Sequence, residues 1–272
     1  MKSSTRLVCL TMSAGAIACT AAPEDEAGPG PLEVEAQVAK PVPAEAPAPE
    51  GPPPAPPGPT APPTTVGGFV DACLLPGMTR ATFNATSSFD AIDEGVTAAL
   101  NLPFSFTFYG TSHTKYWFTT NGQLGFGNTP GGSLFGQVSC PLPSAGFSTP
   151  IVFVYSTDLI VRVPDYPADP NDPAFGVCYA TTGTAPNRKL VVTWKDSFFY
   201  ESWTTSHVTF SATLNEGTNV IDVALERVDA PYIPDFETGW GSVLGKQAGS
   251  SGYAYSCQQS NAPEGTVVHY NP

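Results

Sequence analysis

Acidic side chains occur in two stretches whose carboxylates could bind a hard cation. The first stretch is a proline-rich loop with an aspartate upstream, and it supplies the calcium candidates Asp158, Asp165, Asp169 and Asp172. The second stretch supplies Asp90, Asp93 and Glu94. Calcium takes six to eight oxygen ligands, which an acidic extracellular loop could provide. The spacing lacks the D-x-[DN]-x-[DN]-G pattern of a calcium loop, so solvated turns explain the acids as well and no cofactor is predicted.

The three histidines, His113, His207 and His269, lie in no metal-binding or catalytic motif. A hydrolase needs a nucleophile, a base and an orienting acid that meet in space, and neither G-x-S-x-G nor H-E-x-x-H occurs. Glycoside hydrolysis needs two carboxylates in a cleft, and a pair such as Asp196 and Glu201 is explained better by surface acids. The sequence therefore predicts no catalytic residue and no enzyme, and an extracellular hydrolase is the least favoured alternative.

Four aromatic residues lie close together in the sequence at Phe198, Phe199, Tyr200 and Trp203. Successive side chains of a strand point to opposite faces, so these rings cannot all face a core. Exposed aromatic rings on a β surface can stack on sugars or anchor a protein partner. The stretch is therefore a candidate binding patch, and the alternative is a loop that folds back over the edge of the sandwich.

Four of the six cysteines, Cys73, Cys140, Cys178 and Cys257, lie in the C-terminal part of the chain. An even number in an oxidising compartment predicts two disulfides, with three possible connectivities. We favour Cys73–Cys257, which would tie the two ends of the domain, together with Cys140–Cys178. A structural zinc site is disfavoured because no two of these cysteines form a close C-x-x-C pair.

Short strands must position these residues. Apolar residues alternate with a period of two around residues 104–108, 190–194 and 208–214, and residues 151–163 form a longer apolar run typical of a central strand. Asn121-Gly122 between two alternating runs predicts a hairpin with a type I′ turn. No stretch sustains the period of an amphipathic helix. The pattern predicts an all-β fold, a single antiparallel β-sandwich.

Composition divides the chain into a linker and one globular domain. The chain has 272 residues, and 15 of its 30 prolines fall in residues 20–66, where no core can form. Because proline favours extended polyproline II, we predict a disordered stalk at residues 19–66 followed by a domain at residues 67–272. The net charge of −13 excludes a nucleic-acid partner, which would need a basic face.

The N-terminus predicts export. Lys2 and Arg6 precede an uncharged, mostly apolar run of 12 residues, which is too short to span a bilayer and indicates a signal peptide at residues 1–18. Ala16-Ile17-Ala18-Cys19 resembles the bacterial lipobox, in which the cysteine is acylated. The resemblance implies that Cys19 is a lipid anchor, that this lipid is the only membrane contact, and that the protein is an outer-membrane lipoprotein exposed at the surface or in the periplasm. The alternative is ordinary cleavage after residue 18, with Cys19 incidental.

Five segments follow one another in a recognisable order. They are LPFSFTFYG at 102–110, YWFTTNGQLGFG at 116–127, TPIVF at 149–153, KLVVTWKD at 189–196 and VTFSATLNEGTNVID at 208–222. This order resembles nidogen-like extracellular domains and their bacterial surface relatives. One departure is a proline- and aspartate-rich insertion at residues 164–173.

The resemblance implies a non-catalytic cell-surface lipoprotein whose β-sandwich mediates extracellular interaction or adhesion. Its partner would be an extracellular protein or a glycan. The alternative is a carbohydrate-binding module that uses the exposed aromatics of the candidate patch.

Overall fold

The computed structural model describes residues 8–11, 17–20, 68–85, 91–130, 138–161, 175–200, 206–229, 242–257 and 262–272. Within these residues the protein is all-β, with seventeen strands and one 3₁₀ turn at Ala72–Leu74, so the predicted fold class is confirmed. No helix among them is long and apolar enough to cross a membrane. In the first 51 residues, β1 (Val8–Thr11) pairs antiparallel with β2 (Ile17–Thr20). The rest of the predicted signal peptide and nearly all of the predicted stalk lie outside the described residues.

The following domain consists of two antiparallel sheets and a small hairpin. Its strands are β3 (Thr79–Arg80), β4 (Asn84–Ala85), β5 (Gly95–Val96), β6 (Leu100–Phe108), β7 (Thr111–Phe118), β8 (Gln123–Phe126), β9 (Ile151–Ser156), β10 (Leu159–Ile160), β11 (Gly176–Thr182), β12 (Lys189–Phe199), β13 (His207–Asn215), β14 (Ile221–Val228), β15 (Val243–Ala248), β16 (Ser251–Cys257) and β17 (Val267–Tyr270). The first sheet has the order β17-β14-β13-β12-β11-β3, with β10 also paired to β12. The second sheet has the order β16-β15-β9-β8-β7-β6, and β4 pairs with β5.

The inner faces of the two sheets share one aromatic core, as the period-two alternation predicts. Phe106 and Phe126 stack within the second sheet with ring centroids 5.5 Å apart, and Trp194 and Phe210 stack within the first at 5.0 Å. The Trp194 indole N–H donates to the carbonyl of Thr119, 2.8 Å away in the opposite sheet. The polar atom of a fully buried tryptophan therefore joins the two sheets instead of being left unsatisfied.

The predicted Asn-Gly hairpin forms between β7 and β8, but its turn is not type I′. Thr119 N–H donates to the carbonyl of Gln123 at 2.9 Å, so the loop between them has three residues. Only Gly122 among these has a positive φ, of 70°, whereas a type I′ turn needs two such residues. The pair of positive φ angles occurs instead at Tyr109 and Gly110, between β6 and β7, at 48° and 74°.

The outer face of the first sheet carries a small apolar cluster that a non-strand segment covers. The cluster contains Cys178, Ala180 and Val191, and Val70–Leu75, here called the strap, packs on it. The disulfide Cys73–Cys178 fastens the strap, with the two Cα atoms 5.1 Å apart.

Polar contacts hold the strap on either side of its disulfide. The Thr193 hydroxyl accepts from Ala72 N–H at 2.9 Å and donates to the carbonyl of Val70 at 2.8 Å. The ammonium of Lys195 lies 2.6 Å from the carboxylate of Asp71. Thr193 and Lys195 both lie on β12, whereas the disulfide partner Cys178 lies on β11, so the strap spans these two strands.

The outer face of the second sheet is covered in the same way. Its apolar cluster contains Trp117, Ile151, Phe153 and Val243, and residues 138–149, here called the cover loop, pack against it. The disulfide Cys140–Cys257 fastens this loop to the end of β16, with the Cα atoms 6.1 Å apart.

The side-chain amide of Gln247 gives the cover loop the pair of backbone hydrogen bonds that a neighbouring strand would otherwise supply. The Gln247 carbonyl oxygen accepts from Ser144 N–H at 2.8 Å, and its amide nitrogen donates to the Ser144 carbonyl at 3.0 Å. Gln247 is fully buried, so both of its polar atoms are paired where water is absent.

Two disulfides form as predicted, but the favoured pairing is wrong. Cys73 does not reach Cys257, because the strap lies on the outer face of the first sheet and Cys257 ends an edge strand of the second. Cys140 does not reach Cys178, because the cover loop lies on the far side of the second sheet. Each disulfide joins a covering segment to the sheet beneath it, and the two ends of the domain are not tied.

Strand β6 lies across the hairpin ends of the first sheet. Arg188, in the turn before β12, donates to the carbonyl of Pro103 at 2.6 Å. Asn219, in the turn before β14, accepts from Thr107 N–H at 2.8 Å. The two contacts lie four residues apart on β6 and reach two different hairpin turns of the first sheet. Strand β6 therefore runs across the strands that end in these turns. The Asn219 contact also satisfies a backbone donor of an edge strand, which otherwise invites pairing with another chain.

The Arg188–Glu216 ion pair fixes this crossing. The guanidinium donates to both carboxylate oxygens, at 2.8 Å from Nε and 2.5 Å from Nη2. Hydrogen bonds from Arg188 lower the pKa of Glu216 from 4.5 to about 2.

Peptide mapping without reduction is expected to recover Cys73 linked to Cys178 and Cys140 linked to Cys257. The double variants C73A/C178A and C140A/C257A should each lower the free energy of unfolding by about 2–5 kcal/mol, because each disulfide closes a long loop and holds a segment with few backbone hydrogen bonds. Recovery of a Cys73–Cys257 peptide would show that the strap lies elsewhere.

Replacing Glu216 by glutamine should lower stability at pH 7 and have little effect near pH 2. A carboxyl group whose pKa is lower in the folded protein stabilises it above the ordinary pKa of 4.5, and this contribution is lost as the pH falls through about 2. Urea midpoints of wild type and E216Q, measured between pH 7 and pH 2, should therefore converge on acidification.

Glu226 provides a control of opposite sign. Partial burial, with repulsion from Asp71 and Glu264, raises the pKa of this carboxyl. Its charged form is disfavoured in the fold, so E226Q should be at least as stable as wild type at pH 7, and the difference should vanish below the ordinary pKa. A deficit of E216Q that is the same at pH 7 and pH 2 would contradict the assigned role of its ion pair.

Candidate functional site

Acids from both predicted stretches meet at one place. Carboxylate oxygens of Asp93, Glu94 and Asp158 all lie within 4.8 Å of one another. Glu94 is 2% exposed and Asp158 is 9% exposed. The sequence assigned Asp158 to one calcium set and the other two acids to a second set, and the fold joins them.

Asn121 positions this acidic cluster. Its side-chain amide donates to the carboxylate of Glu94 at 3.0 Å, and its carbonyl oxygen accepts from Leu159 N–H at 2.7 Å. The next residue must be glycine, because a Cβ on Gly122 would lie 2.2 Å from the carbonyl oxygen of Tyr155. The Asn-Gly motif, read in the sequence as a hairpin turn, is thus inserted between β9, β10 and the loop that carries Glu94.

The acidic cluster has the ligand type that a hard cation prefers, three carboxylates. Each of its residues also interacts with other groups of the chain. The remaining calcium candidates, Asp165, Asp169 and Asp172, and Asp90 of the second stretch lie outside the described residues. The prediction of no cofactor, with calcium as the alternative, therefore stays a prediction.

The candidate aromatic patch is not an exposed surface at Phe198 and Phe199, which are 7% and 1% exposed. The two rings do point to opposite faces: Phe199 packs in the core and Phe198 packs on the ring of His207, with centroids 4.5 Å apart. A bulge between Trp194 and Ser197 shifts the register here. The prediction erred because it equated the outer face of a strand with exposure. Tyr200 is 48% exposed, and Trp203 lies outside the described residues.

Two histidines are paired with aspartates on the outer face of the first sheet. Nδ1 of His207 lies 2.5 Å from Asp196, which also accepts from Arg227 at 3.2 Å. Nδ1 of His269 lies 2.6 Å from Asp222. Such a pair supplies the base and orienting acid of a catalytic triad. No serine, threonine or cysteine of the described residues hydrogen-bonds either ring, so neither pair is joined to a nucleophile.

Two surface cavities lie apart from these pairs. One, of about 340 Å³, is lined by residues that include Arg80, Thr97 and Tyr179. The other, of about 370 Å³, is lined by residues that include Glu226 and Glu264. Neither histidine–aspartate pair lines either of these two cavities.

Sequence reasoning missed a group of four tyrosines, Tyr109, Tyr253, Tyr255 and Tyr270, which we call the tyrosine site together with Lys246. The rings of Tyr253 and Tyr270 meet edge to face, 6.3 Å between centroids. The hydroxyl of Tyr109 donates to the carbonyl of Lys246 at 3.3 Å, and the Lys246 ammonium lies 4.9 Å from the Tyr109 ring centroid. Residues from β15, β16, β17 and the β6–β7 turn therefore converge.

The tyrosine site contains two groups held at an energetic cost. Tyr109 has the positive φ of 48°, which costs a bulky residue about 1–2 kcal/mol. Tyr270 is 1% exposed, and its hydroxyl has no hydrogen-bond partner. Burial raises the pKa of Tyr270 well above its ordinary value, and the nearby hydroxyls of Tyr253, Tyr255 and Tyr109 raise it further. Burial also lowers the pKa of Lys246.

The outer end of the tyrosine site reaches solvent. Tyr255 is 40% exposed, and Tyr200 is the other tyrosine of comparable exposure among the described residues. The sequence signal was present in the alternation of Tyr253 and Tyr255, but nothing in it showed that the C-terminal strand would bring Tyr270 beside them.

A family model described as "NIDO related" matches residues 76–264, which is more than half of the chain. No curated protein and no solved structure matches.

Replacing Asn121 by alanine should lower the free energy of unfolding by about 2–4 kcal/mol. The change leaves the backbone N–H of Leu159 and the carboxylate of Glu94 without their buried partner, and each such loss costs about 1–3 kcal/mol. Asn84→Ala is the matched control, since this asparagine is exposed and its loss should change stability by less than about 0.5 kcal/mol. Equal urea midpoints for the two variants would contradict the role of Asn121.

Proposed function

Because the chain belongs to the NIDO-related family, we propose that it is an extracellular, non-catalytic β domain that mediates interaction or adhesion at a bacterial cell surface. Lipid on Cys19 holds the protein at the outer membrane, and the stalk of residues 19–66 separates the domain from that membrane. The partner is an extracellular molecule and not a nucleic acid.

The observation that carries this proposal is the pair of disulfides. Each one fastens a segment without regular strand pairing over apolar surface, at Cys73–Cys178 and at Cys140–Cys257. Disulfides form and persist outside the reducing cytosol, so the covers of both sheets depend on export. This supports an extracytoplasmic domain and agrees with the signal peptide predicted at residues 1–18.

The arrangement of titratable groups supports a binding role over a catalytic one. Asp196 is shared between His207 and Arg227, and Asp222 contacts His269. Neither ring hydrogen-bonds a serine, threonine or cysteine among the described residues, so that part of the chain supplies neither pair with a nucleophile. The described residues thus favour interaction over hydrolysis.

Expression of the full chain in a bacterium lacking it tests the proposal directly. We expect the wild-type protein in the membrane fraction and increased attachment of the cells to one another or to a surface. The variant C19S should move most of the protein to the soluble fraction and abolish the gain in attachment, because the domain is no longer tied to the cell. Unchanged attachment on expression of correctly oxidised wild-type protein would contradict the interaction role.

A mass spectrum of the mature N-terminus separates the two parts of the proposal. An acylated peptide that begins at Cys19 supports the anchor. An unmodified N-terminus would remove the lipoprotein part of the proposal. The interaction part would then be tested by measuring whether added soluble protein attaches to cells.

A further inference from the structure

Among the described strands, three of the four edges of the two sheets are protected against pairing with another chain. An edge strand exposes free N–H and C=O groups, and proteins limit unwanted pairing with short edges, prolines or covering contacts. The edges of the first sheet, β3 and β17, have only two and four residues. The edge strand β6 of the second sheet contains Pro103, whose carbonyl accepts from Arg188, and its Thr107 N–H donates to Asn219. Each of these edges therefore offers few backbone groups to a partner.

Strand β16 is the edge that has none of these protections. It has seven residues, Ser251–Cys257, with no proline and no charged side chain. One side of β16 pairs with β15, and the other side pairs with no strand in the described part of the chain. Its residues are exposed or half-buried along the whole strand. A further strand can therefore reach the free side of its backbone.

One bulge interrupts the pairing of β16 with β15. The register skips Tyr255, which has no partner in β15, whereas Ser251–Ala254 pair with β15 without a break. A bulge re-aims a side chain, and the ring of Tyr255 is 40% exposed on this edge strand. The edge therefore combines a regular stretch of backbone with an exposed aromatic ring.

The sequence of β16 favours a second copy of the chain as its partner. Tyr253 and Tyr255 flank Ala254, and the small residues Gly252 and Ser256 follow on either side, so the strand is nearly the same in both directions. In an antiparallel pair of such strands, with a two-fold axis through Ala254, Tyr253 of each copy lies opposite Tyr255 of the other. Aromatic pairs that lie directly opposite each other stabilise a sheet.

The distribution of charge supports the same partner. The chain has a net charge of −13, so two copies repel each other over most of their surfaces. Strand β16 has no charged side chain. Contact through β16 therefore places no like charges of the two strands opposite each other, which would oppose pairing.

We propose that β16 pairs antiparallel with β16 of a second copy of this chain, about a two-fold axis through Ala254, so that the two second sheets form one continuous sheet. The inference rests on the proposed interaction function and specifies its partner. Pairing of two short strands gives a small interface and is therefore weak. Many copies tethered to a cell offset this weakness through their high effective concentration.

Sedimentation equilibrium of the full-length, oxidised C19S protein, which carries no lipid, tests for the dimer. The fraction of dimer should increase with concentration up to about 1 mM. Tyr255→Lys should weaken dimerisation about tenfold or more, because it removes both tyrosine pairs and introduces two cations at the contact. Tyr200→Lys is the matched control, since this tyrosine is 48% exposed and lies outside β16, and it should leave the affinity unchanged. A monomer at every concentration, or equal affinities of the two variants, would overturn the proposal.

Ala254→Cys tests the position of the two-fold axis. Residues directly opposite each other in an antiparallel pair have Cα atoms about 4.5–5.5 Å apart, which lies within the range that a disulfide can bridge. Cells that express this variant of the full chain should yield a covalent dimer on a non-reducing gel, and peptide mapping should place its disulfide between the two copies of residue 254. Thr114→Cys, at an exposed position on β7, measures random cross-linking. Cross-linking no greater than in this control would show that the strands do not pair about Ala254.

Mixing cells that express the protein with cells that lack it distinguishes this inference from the proposed function. Expressing cells should attach to one another and exclude the others, and Tyr255→Lys should reduce this attachment while Tyr200→Lys should not. Attachment to cells that lack the protein, if it persists in Tyr255→Lys, would remove the inference and leave the interaction function standing. Dimers in sedimentation without any attachment of cells would instead contradict the adhesion role and leave the pairing of β16 standing.

Discussion

Each sheet of this domain carries an apolar cluster on its outer face in addition to its apolar inner face, and this constraint determines much of the structure. A β-sandwich buries only the inner face of each sheet. The outward residues Cys178, Ala180 and Val191 on one side, and Trp117, Ile151 and Phe153 on the other, would otherwise contact water. The strap and the cover loop remove them from solvent. Neither segment has a strand partner that could hold it, so each depends on a disulfide and a small number of side-chain hydrogen bonds.

The same constraint explains which sequence predictions succeeded. Strand alternation showed the inner core, because inward residues recur with a period of two along each strand, and Phe106 of the second sheet and Trp194 and Phe210 of the first all belong to one core. The alternation did not show that the strap and the cover loop would pack on the outer faces. Whether an outward residue is exposed depends on segments far away in sequence, and Phe198 was taken as exposed for this reason. The favoured disulfide pairing was wrong for the same cause, since it assumed that the domain's ends needed tying when its faces needed covering.

The candidate sites were predictable in their residue types and not in their assembly. Asp93, Glu94 and Asp158 were recognised as acids that could act together, but in two separate sets. Their meeting depends on Asn121, whose motif was correctly read as a hairpin and incorrectly as a type I′ turn. The tyrosine site depends on contacts between strands far apart in sequence, of which Tyr253 and Tyr270 are the clearest pair. Periodicity and motifs describe residues that are close together in the sequence, whereas both sites are made of residues that are distant in sequence and close in space.

The position of the strap has a mechanical consequence. A pulling force applied through the N-terminal segment would meet the domain first at Val70–Leu75, before the two-residue strand β3. The covalent bond from Cys73 transmits that load to Cys178, which lies inside the first sheet and is paired to β12 along seven residues of β11. The hydrogen bonds between β11 and β12 would then share the load, instead of breaking one after another from the edge of the sheet. A domain built in this way can carry tension without first losing its outermost strand.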